Sequence, residues 1–337
     1  MTSSYNNQIP KLYEAFNGQF LIGAAVNAKT VVTQRDLLTY HFNSLTAENE
    51  MKFERLQPEE ELYTFEEADR LVAFAKEHDM GVRGHTLVWH NQTPDWMFEH
   101  PSGRAMDRNT LLARMKSHIE TVVNRYKGMI YAWDVVNEAV SDSGEQVLRQ
   151  SKWLDIAGED FIARAFEYTH AADPNAMLFY NDYNESVPEK REKIYSLVKS
   201  LKEKDVPIHG IGLQGHWNLE HPTLDDIREA IERYARLGMM LHITELDVSV
   251  FNFEDKRTGL LAPTEVMVER QAERYQQFFE LFKEYSEHIT SVTFWGAADD
   301  YTWLDNFPVY GRKNWPFIFD QQHQPKQAFW DIIDLTR

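Results

Sequence analysis

Two apolar segments of the chain each run into carboxylate side chains at the point where they stop. The segment YAWDVVNEAV, residues 131–140, leads to Asn137 and Glu138, and LHITELDVSV, residues 241–250, leads to Glu245 and Asp247. Aromatic and β-branched residues are typical of strands, and a carboxylate at a strand end avoids the desolvation cost of a core position. Two carboxylates that face each other across a cleft suit glycoside hydrolysis, in which one is protonated and the other ionised.

The neighbours of Glu138 indicate how the two pKa values are separated. Asn137 can donate hydrogen bonds, and Trp133 and Val135 give the carboxyl group an apolar setting. Burial of this kind favours the neutral form of a carboxylic acid. The segment therefore suits a carboxyl group that delivers a proton to a departing oxygen.

The surroundings of Glu245 favour the opposite charge state. Glu245 and Asp247 are two residues apart and share one face of their strand, as do Gln214 and His216 in the segment 210–217. An imidazole held between the two carboxylates stabilises an ionised nucleophile. A pair of this type predicts retention of anomeric configuration, a carboxyl separation of about 5–5.5 Å and a bell-shaped pH profile.

The rest of the chain alternates between short apolar runs and helical patterns. The runs predict strands at Phe20–Val26, Phe42–Glu48, Gly81–Trp89, Tyr131–Glu138, Met177–Tyr183, Gly210–Trp217, Met240–Val248 and Ser291–Gly296. Amphipathic helices are predicted over about 64–79, 110–128 and 223–238, after Glu159, Glu189 and Thr264, and more weakly at 33–40 and 327–335. Thr64 and Glu67 have the spacing of a capping box.

Eight strand–helix units are the number that closes into a (β/α)₈ TIM barrel, because each crossover makes the next strand parallel. An open doubly wound sheet is the main rival, but the glycine fingerprint that it often carries is missing. With no repeat and no Pro/Gly-rich linker in 337 residues, the chain is predicted to be one domain. Barrel active sites lie at the carboxyl ends of the strands, so Glu138 and Glu245 are expected to face one mouth.

Composition excludes several classes of function. The chain has 35 Lys+Arg against 53 Asp+Glu, a net charge of −18, so nucleic acid and anionic membranes are poor partners. It contains no Cys, which excludes disulfides, thiolate catalysis and Zn–Cys sites. The N-terminal residues have no basic region followed by an apolar run. We therefore expect a cytoplasmic enzyme, and the composition leaves the oligomeric state open.

Several segments, in order along the chain, carry a resemblance to a known family. They are LTAENEMKFERLQP (45–58), GHTLVWHNQTPDWM (84–97), WDVVNEAV (133–140), FYNDYN (179–184), GIGLQGHW (210–217), HITELDV (242–248) and TFWGAADDYTWL (293–304). The chain resembles glycoside hydrolase family 10, the endo-β-1,4-xylanases, from about residue 20 to 330. It is most similar to the intracellular members, which lack a secretion leader and a carbohydrate-binding module.

The resemblance implies a role for each catalytic residue. Glu138 would be the acid/base and Glu245 the nucleophile of a double displacement. Asn137 would hydrogen-bond the 2-hydroxyl of the sugar in the covalent intermediate, and His216 would bridge Glu245 and Asp247. The implied substrates are xylan and xylo-oligosaccharides, with no cofactor and no metal.

The resemblance also implies a set of substrate-binding residues. Those on the non-reducing side of the cut would be Glu48, Asn49 and Lys52, with His85, Trp89 and Gln92 beside them. Asn181 and Gln214 would lie near the acid/base and the cleft, and Trp295 and Trp303 would form its aromatic wall. The loops 141–158 and 249–263 match no assigned pattern, so the number of subsites stays open.

The region 295–317 is dense in aromatic residues and has little helix or strand pattern. Long loops of this kind are usually functional, although Trp315 and Phe317 are expected to serve packing. Three alternative functions stay open at this point: a retaining glycosidase for β-1,4-glucan or aryl xylosides, a metal-dependent barrel enzyme such as a sugar isomerase, and a non-catalytic sugar-binding barrel.

Overall fold

The structure, a computed structural model, describes residues 9–100 and 102–337. Its strands are β1 (Leu21–Val26), β2 (Ser44–Ala47), β3 (Gly81–Trp89), β4 (Ile130–Asn137), β5 (Met177–Asp182), β6 (Gly210–Leu213), β7 (His216–Asn218), β8 (Met240–Ser249) and β9 (Ile289–Phe294). Its helices are α1 (Leu12–Ala15), α2 (Thr30–Thr33), α3 (Arg35–His41), α4 (Phe53–Leu56), α5 (Glu66–Glu77), α6 (Arg108–Arg125), α7 (Lys152–Ala157), α8 (Phe161–Ala172), α9 (Pro188–Glu203), α10 (Leu224–Ala235), α11 (Glu265–Glu284) and α12 (Gln327–Asp334). Short 3₁₀ turns lie at Asp95–Phe98 and Trp303–Asp305.

The strands form a closed parallel barrel, which confirms the predicted (β/α)₈ fold. The order around the sheet is β6-β5-β4-β3-β2-β1-β9-β8-β7, and the pairing of β6 with β8 closes it. All of the pairings between these strands are parallel. Parallel strands run the same way, so the carboxyl ends of all of them meet at one mouth.

The sixth stave of the barrel is interrupted, whereas the sequence predicted one strand from 210 to 217. β6 and β7 pair with successive parts of β8, and Gln214 and Gly215 separate them. Gly215 has a φ of +75°, a conformation that favours glycine. Gln214 and His216, on either side of Gly215, both belong to the site described below.

Some helices begin or end at residues other than those predicted, because side chains form hydrogen bonds with distant residues instead of capping their own helix. The capping box predicted at Thr64 is wrong, because α5 begins at Glu66 and no side chain caps it. The Thr64 hydroxyl instead donates to the carbonyl of Arg55, at 2.5 Å. The helix predicted at 33–40 corresponds to α3, which spans Arg35–His41, and the other predicted helices are also present with ends shifted by a few residues.

The core consists of the apolar side chains between the barrel and the surrounding helices. The helices contribute one apolar stripe each, as Leu111, Met115, Ile119 and Val122 of α6 illustrate. Trp315 and Phe317 are buried in this core, as expected. None of the helices in residues 9–100 and 102–337 is long and apolar enough to cross a membrane.

Candidate active site

Glu138 lies directly after β4, at the mouth of the barrel. Trp89 Nε1 donates to its Oε2 at 2.9 Å, and Gln214 Nε2 donates to its Oε1 at 3.0 Å. Its backbone has a φ of +56°, and its amide donates to the carbonyl of Asn181 at 2.9 Å. A non-glycine residue in this region of φ is uncommon and often marks a functional position. The carboxyl group is therefore held by two residues from different strands, Trp89 at the end of β3 and Gln214 directly after β6.

Glu245 lies within β8, which ends at Ser249, one residue beyond the predicted strand end at Val248. The pairing of β8 with β9 shifts register between Ile243 and Leu246, and such an irregularity redirects side chains. The Glu245 side chain is 6% exposed. Asn181 Nδ2, from β5, donates to Glu245 Oε1 at 2.8 Å, so a residue of another strand holds the carboxylate in place.

His216 bridges two carboxylates, as the sequence predicted. Its Nε2 lies 3.0 Å from Glu245 Oε2 and its Nδ1 lies 3.0 Å from Asp247 Oδ2. Trp303 Nε1 also donates to Asp247 Oδ2, at 2.8 Å. Burial by itself lowers the pKa of His216, but the charges and hydrogen bonds of the two carboxylates raise it to about 10. The ring is therefore an imidazolium at neutral pH, and both of its nitrogens donate.

The charge on His216 decides the charge state of Glu245. Burial by itself raises the pKa of Glu245, but the hydrogen bond from His216 and the charges of the His85 and His216 rings hold it below the usual glutamate value. Glu245 is consequently ionised at neutral pH. A buried, ionised carboxylate of this kind can act as a nucleophile.

Amide side chains connect the two carboxyl groups. Asn137 Oδ1 accepts hydrogen bonds from Gln214 Nε2 at 3.3 Å and from Asn181 Nδ2 at 2.9 Å. Gln214 also contacts Glu138, and Asn181 also contacts Glu245, so one continuous chain of hydrogen bonds joins the two glutamates. Each amide is committed to a partner, which fixes its orientation. Glu138 and Glu245 therefore face one cleft and are held in place by the same residues.

A glycine makes room for this chain. A Cβ on Gly212 would lie 2.2 Å from Asn181 Oδ1 and 2.9 Å from Thr244 Cγ2, closer than atoms approach without displacement. Thr244 Oγ1 donates to that same Oδ1 at 2.7 Å, which leaves Asn181 Nδ2 to face the carboxylate. The absence of a side chain at position 212 therefore positions Asn181.

A buried ion pair lies beneath the cleft. The Arg83 guanidinium donates to both carboxylate oxygens of Asp134, and His85 Nδ1 lies 2.8 Å from Asp134 Oδ2. Burial alone raises the pKa of Asp134, but the charge of Arg83 and the hydrogen bond from His85 lower it overall. His85 Nδ1 is also 3.9 Å from Glu245 Oε1, so the pair orients a ring next to the nucleophile.

One side of the cleft carries the polar residues expected to bind sugar. Lys52 Nζ donates to Asn49 Oδ1 at 3.1 Å and lies 5.0 Å from the centre of the Trp89 ring. Gln92 Nε2 also donates to Asn49 Oδ1, at 3.4 Å. Burial lowers the pKa of Lys52, while nearby carboxylates, among them Glu48, oppose this effect. These residues form one cluster that is continuous with the Trp89–Glu138 contact.

Two tryptophans lie beside the histidines of the site. The centre of the Trp295 ring lies 5.3 Å from that of His85 and 6.3 Å from that of His216. The Trp303 ring lies 5.0 Å from the His216 ring. Flat rings beside a polar cluster suit sugars, which present apolar C–H faces as well as hydroxyls. Every residue that the sequence predicted for the site is thus found in one connected cluster at the mouth.

The structure adds residues that the sequence did not reveal. Tyr301 OH donates to Glu48 Oε2 at 2.9 Å, and Asn27 Nδ2 donates to the same oxygen at 3.0 Å. Asn27 follows β1 directly, so the strand-end reasoning that found Glu138 could also have found it. Arg149 Nε donates to the backbone carbonyl of Glu138 at 3.0 Å, but it lies in the unassigned loop 141–158, where no pattern pointed to it.

Arg149 belongs to a polar network next to the backbone of Glu138. Its Nη2 donates to Asp142 Oδ2 and to Tyr183 OH, both at 2.8 Å. Lys190 Nζ donates to Asp142 Oδ1 at 2.6 Å. Burial by itself raises the pKa of Asp142, but its hydrogen bonds with Lys190 and Tyr183 lower it to about 2. The network fixes the guanidinium that contacts the Glu138 carbonyl.

Comparison with known proteins agrees with this geometry. Residues 11–335 match the family model described as Glycosyl hydrolase family 10. An endo-1,4-beta-xylanase from Geobacillus stearothermophilus is 62% identical over 98% of this chain and 99% of its own. Xylanase XynB from Paenibacillus barcinonensis, solved in complex with a conduramine derivative, is 58% identical, with a TM-score of 0.96 over 97% of this chain and 99% of that one.

A mutant protein solved in complex with xylotriose is also similar. It is 50% identical, with a TM-score of 0.94 over 97% of this chain and 100% of that chain. The resemblance that the sequence motifs indicated is thereby confirmed over nearly the whole length. The chain belongs to glycosyl hydrolase family 10.

Proposed function

We propose that this protein is a retaining endo-β-1,4-xylanase that cleaves xylan and xylo-oligosaccharides by double displacement. The observation that carries the proposal is the charge arrangement around Glu245. The imidazolium of His216 and the amide of Asn181 hold this carboxylate ionised in the same cleft as Glu138. A retaining glycosidase requires an ionised nucleophile and a proton donor facing one glycosidic bond.

In the first step, Glu245 Oε attacks the anomeric carbon and forms a glycosyl ester. Glu138 gives its proton to the departing glycosidic oxygen, so the leaving sugar departs as a neutral alcohol. In the second step, Glu138 takes a proton from water, the hydroxyl oxygen attacks the anomeric carbon, and the ester bond to Glu245 breaks. Both carboxyl groups return to their starting protonation states. The separation of about 5–5.5 Å that this sequence of steps requires stays a prediction.

The remaining residues support binding and orientation. Asn137 lies between the two glutamates and uses its Oδ1 within the protein, and we assign its Nδ2 to the 2-hydroxyl of the bound sugar. Glu48, Asn49, Lys52 and Gln92 provide donors and acceptors for sugar hydroxyls on the side of Trp89. Trp295 and Trp303 provide apolar faces for the sugar rings.

Xylan is the preferred substrate class because the relatives at 62% and 58% identity are named as xylanases. A β-1,4-glucan is the nearest rival, since a glucose unit differs by one hydroxymethyl group that the pocket must accommodate. Rates on xylan, cellulose and aryl glycosides separate these possibilities. Digestion of xylo-oligosaccharides of increasing length tests the proposal directly: internal cleavage supports it, and exclusive release of terminal units contradicts the endo mode.

Variants of the two glutamates test their separate roles. Glu138→Ala is expected to keep its first step on an aryl glycoside with a good leaving group, because that step needs no proton. Glu245→Ala is expected to lose the first step on every substrate. Glu120→Ala, on the exposed face of α6, is the matched control and is expected to retain full activity. Equal behaviour of the two active-site variants on the activated substrate contradicts the assignment.

Two further alternatives have simple tests. A metal-dependent isomerase loses activity with a chelator, whereas a carboxylate pair does not depend on a bound ion. A non-catalytic sugar-binding protein retains its function when Glu138 and Glu245 are both replaced. The cytoplasmic location stays a prediction, which fractionation of cells that express the native gene checks.

A further inference from the structure

The backbone of Glu138 adopts a conformation that surrounding contacts must hold. Its φ of +56° lies in a region that residues with a side chain rarely occupy, and such a conformation persists only when the neighbouring structure enforces it. The turn 138–140 is bound at both ends by side chains. Arg149 Nε donates to the carbonyl of Glu138 at 3.0 Å, and the amide of Val140 donates to Tyr180 OH at 2.9 Å.

One buried ammonium group connects the two side chains that hold this turn. Lys190 Nζ donates to Asp142 Oδ1 at 2.6 Å and lies 3.0 Å from Asp182 Oδ1. Asp142 accepts a hydrogen bond from Arg149, and Asp182 accepts one from Tyr180. Lys190 is therefore linked to both ends of the turn through one carboxylate on each side. We call these five residues together the clamp.

The position of Lys190 is unfavourable for a cation unless carboxylates pair with it. Its side chain is only 1% exposed, and a buried ammonium group needs partners that replace its hydration. It also lies in the first turn of α9, which begins at Pro188, where the helix dipole disfavours positive charge. A lysine at this position is thus explained by the two carboxylates and not by the helix.

The carboxylates of the clamp have fixed orientations. Tyr183 OH donates to Asp142 Oδ2, so this carboxylate is held by Tyr183 as well as by Arg149 and Lys190. The amide of Tyr183 donates to Asp182 Oδ1 at 2.9 Å, and the Asp182 side chain is completely buried. A displacement at Lys190 is therefore passed on to the turn, because each carboxylate is bound on more than one side.

We propose that Lys190 is a positioning residue for the general acid, acting through Arg149 and Tyr180 on the backbone turn that carries Glu138. Lys190 itself does not contact the substrate; it keeps the turn in the conformation that places the Glu138 carboxyl group at the departing oxygen. Proton transfer depends on this geometry, and a misplacement of about 1 Å costs about a hundredfold in rate. This inference rests on the acid role of Glu138 in the proposed function and extends it to a residue of α9.

Lys190→Met tests the proposal, because it removes the ammonium group and keeps an apolar side chain of similar length. Burial then favours the protonated form of Asp182, since the opposing charge of Lys190 is gone. We expect kcat on xylan to fall about tenfold with KM within about twofold of wild type. The first step on an activated aryl glycoside, measured as the burst of released phenol, is expected to stay within about twofold, because this leaving group needs no proton.

Tyr180→Phe keeps the test available if Lys190→Met fails to fold, because it removes a single hydroxyl group. It is expected to lower kcat on xylan about threefold and to spare the burst on the aryl glycoside. Lys193→Met is the matched control, since Lys193 lies one turn further along α9, is 10% exposed and pairs with Glu189 at 3.0 Å. Its kcat on xylan is expected to stay within about twofold of wild type. A loss as large as that of Lys190→Met overturns the specific role of Lys190.

A double variant tests whether Lys190 acts through Arg149. Two residues of one hydrogen-bond network show effects that do not add. The variant with both Lys190→Met and Arg149→Met is therefore expected to lose no more than about threefold beyond the larger single loss. A loss equal to the product of the two single losses overturns the proposed route.

The outcomes also distinguish this inference from the proposed function. A wild-type kcat of Lys190→Met or Tyr180→Phe on xylan overturns the clamp and leaves the xylanase function intact. An equal loss on xylan and in the aryl glycoside burst overturns it too, because the variant then affects more than proton delivery. A Glu138→Ala variant that loses the burst as completely as it loses activity on xylan contradicts the acid role of Glu138 itself.

Discussion

Replacing His216 by Asn tests how the nucleophile is kept ionised. The imidazolium contacts Glu245 and Asp247 at 3.0 Å each, and both carboxylates are almost fully buried. Removing its charge leaves the two carboxylates close together without a shared cation. Their mutual repulsion and their burial then both favour protonation. The pKa of Glu245 is therefore expected to rise in the variant.

The size of the effect follows from the contact that is lost. A hydrogen bond to a charged group is worth about 1.5–3 kcal/mol, and the burial of both carboxylates limits how far solvent screens it. Each 1.36 kcal/mol corresponds to a factor of about ten in rate, so kcat/KM at neutral pH is expected to fall about tenfold to a hundredfold. The acidic limb of the pH profile reports the ionisation of Glu245, and it is expected to move to higher pH.

The assay is the pH dependence of kcat/KM on a soluble xylo-oligosaccharide, with circular dichroism as a check on folding. His288→Asn is the matched control, because His288 lies just before β9 at the opposite end of the barrel. Its profile is expected to match that of wild type. A His216→Asn profile whose acidic limb stays in place, or moves to lower pH, refutes the reasoning even if the rate falls.

Three other predictions concern the residues around the two glutamates. Arg149→Met removes the hydrogen bond to the Glu138 carbonyl, so kcat on xylan is expected to fall about tenfold while KM changes little. The loss of kcat is expected to be smaller on an activated aryl glycoside, because proton transfer matters most for poor leaving groups. Gly212→Ala displaces Asn181 and is expected to lower kcat by about tenfold or more in steady-state assays. Asp134→Ala leaves a buried guanidinium unpaired and is expected to lower the free energy of unfolding by about 3–5 kcal/mol in urea titrations.

Matched changes elsewhere serve as controls for these three. Arg236→Met replaces an exposed arginine and should leave kcat unchanged on both substrates. If Arg149→Met lowers kcat equally on both substrates, Arg149 does not support proton transfer by Glu138. A fully active Gly212→Ala variant contradicts the steric argument. Asp160→Ala breaks an exposed pair and should change stability far less than Asp134→Ala; equal effects contradict the burial argument.

The strand positions and the two glutamates could be predicted because they depend on local pattern. Apolar runs predict the strands, and the barrel topology brings the carboxyl ends of the strands together regardless of the sequence of the connecting loops. Glu138 and Glu245 are polar residues at or near the ends of such runs, so sequence reasoning identifies them without coordinates. The resemblance to a family then added roles that spacing alone does not give.

The features that sequence reasoning missed depend on contacts between distant parts of the chain. Tyr301 and Glu48 are 253 positions apart, so their hydrogen bond leaves no local pattern. Arg149 reaches the Glu138 carbonyl from within an irregular loop. The capping pattern predicted that the Thr64 hydroxyl caps the start of α5, but this hydroxyl instead donates a hydrogen bond to the backbone carbonyl of Arg55. In each case tertiary contacts decided the outcome, and a window of neighbouring residues does not contain them.

The central claim is that Glu138 and Glu245 act on opposite faces of one glycosidic bond, with a covalent glycosyl ester between two inversions. Proton NMR of the anomeric signals during the first minutes of xylo-oligosaccharide cleavage tests it most directly, before mutarotation mixes the anomers. The account predicts that the β-anomer of the newly formed reducing end accumulates first. Initial accumulation of the α-anomer would contradict it.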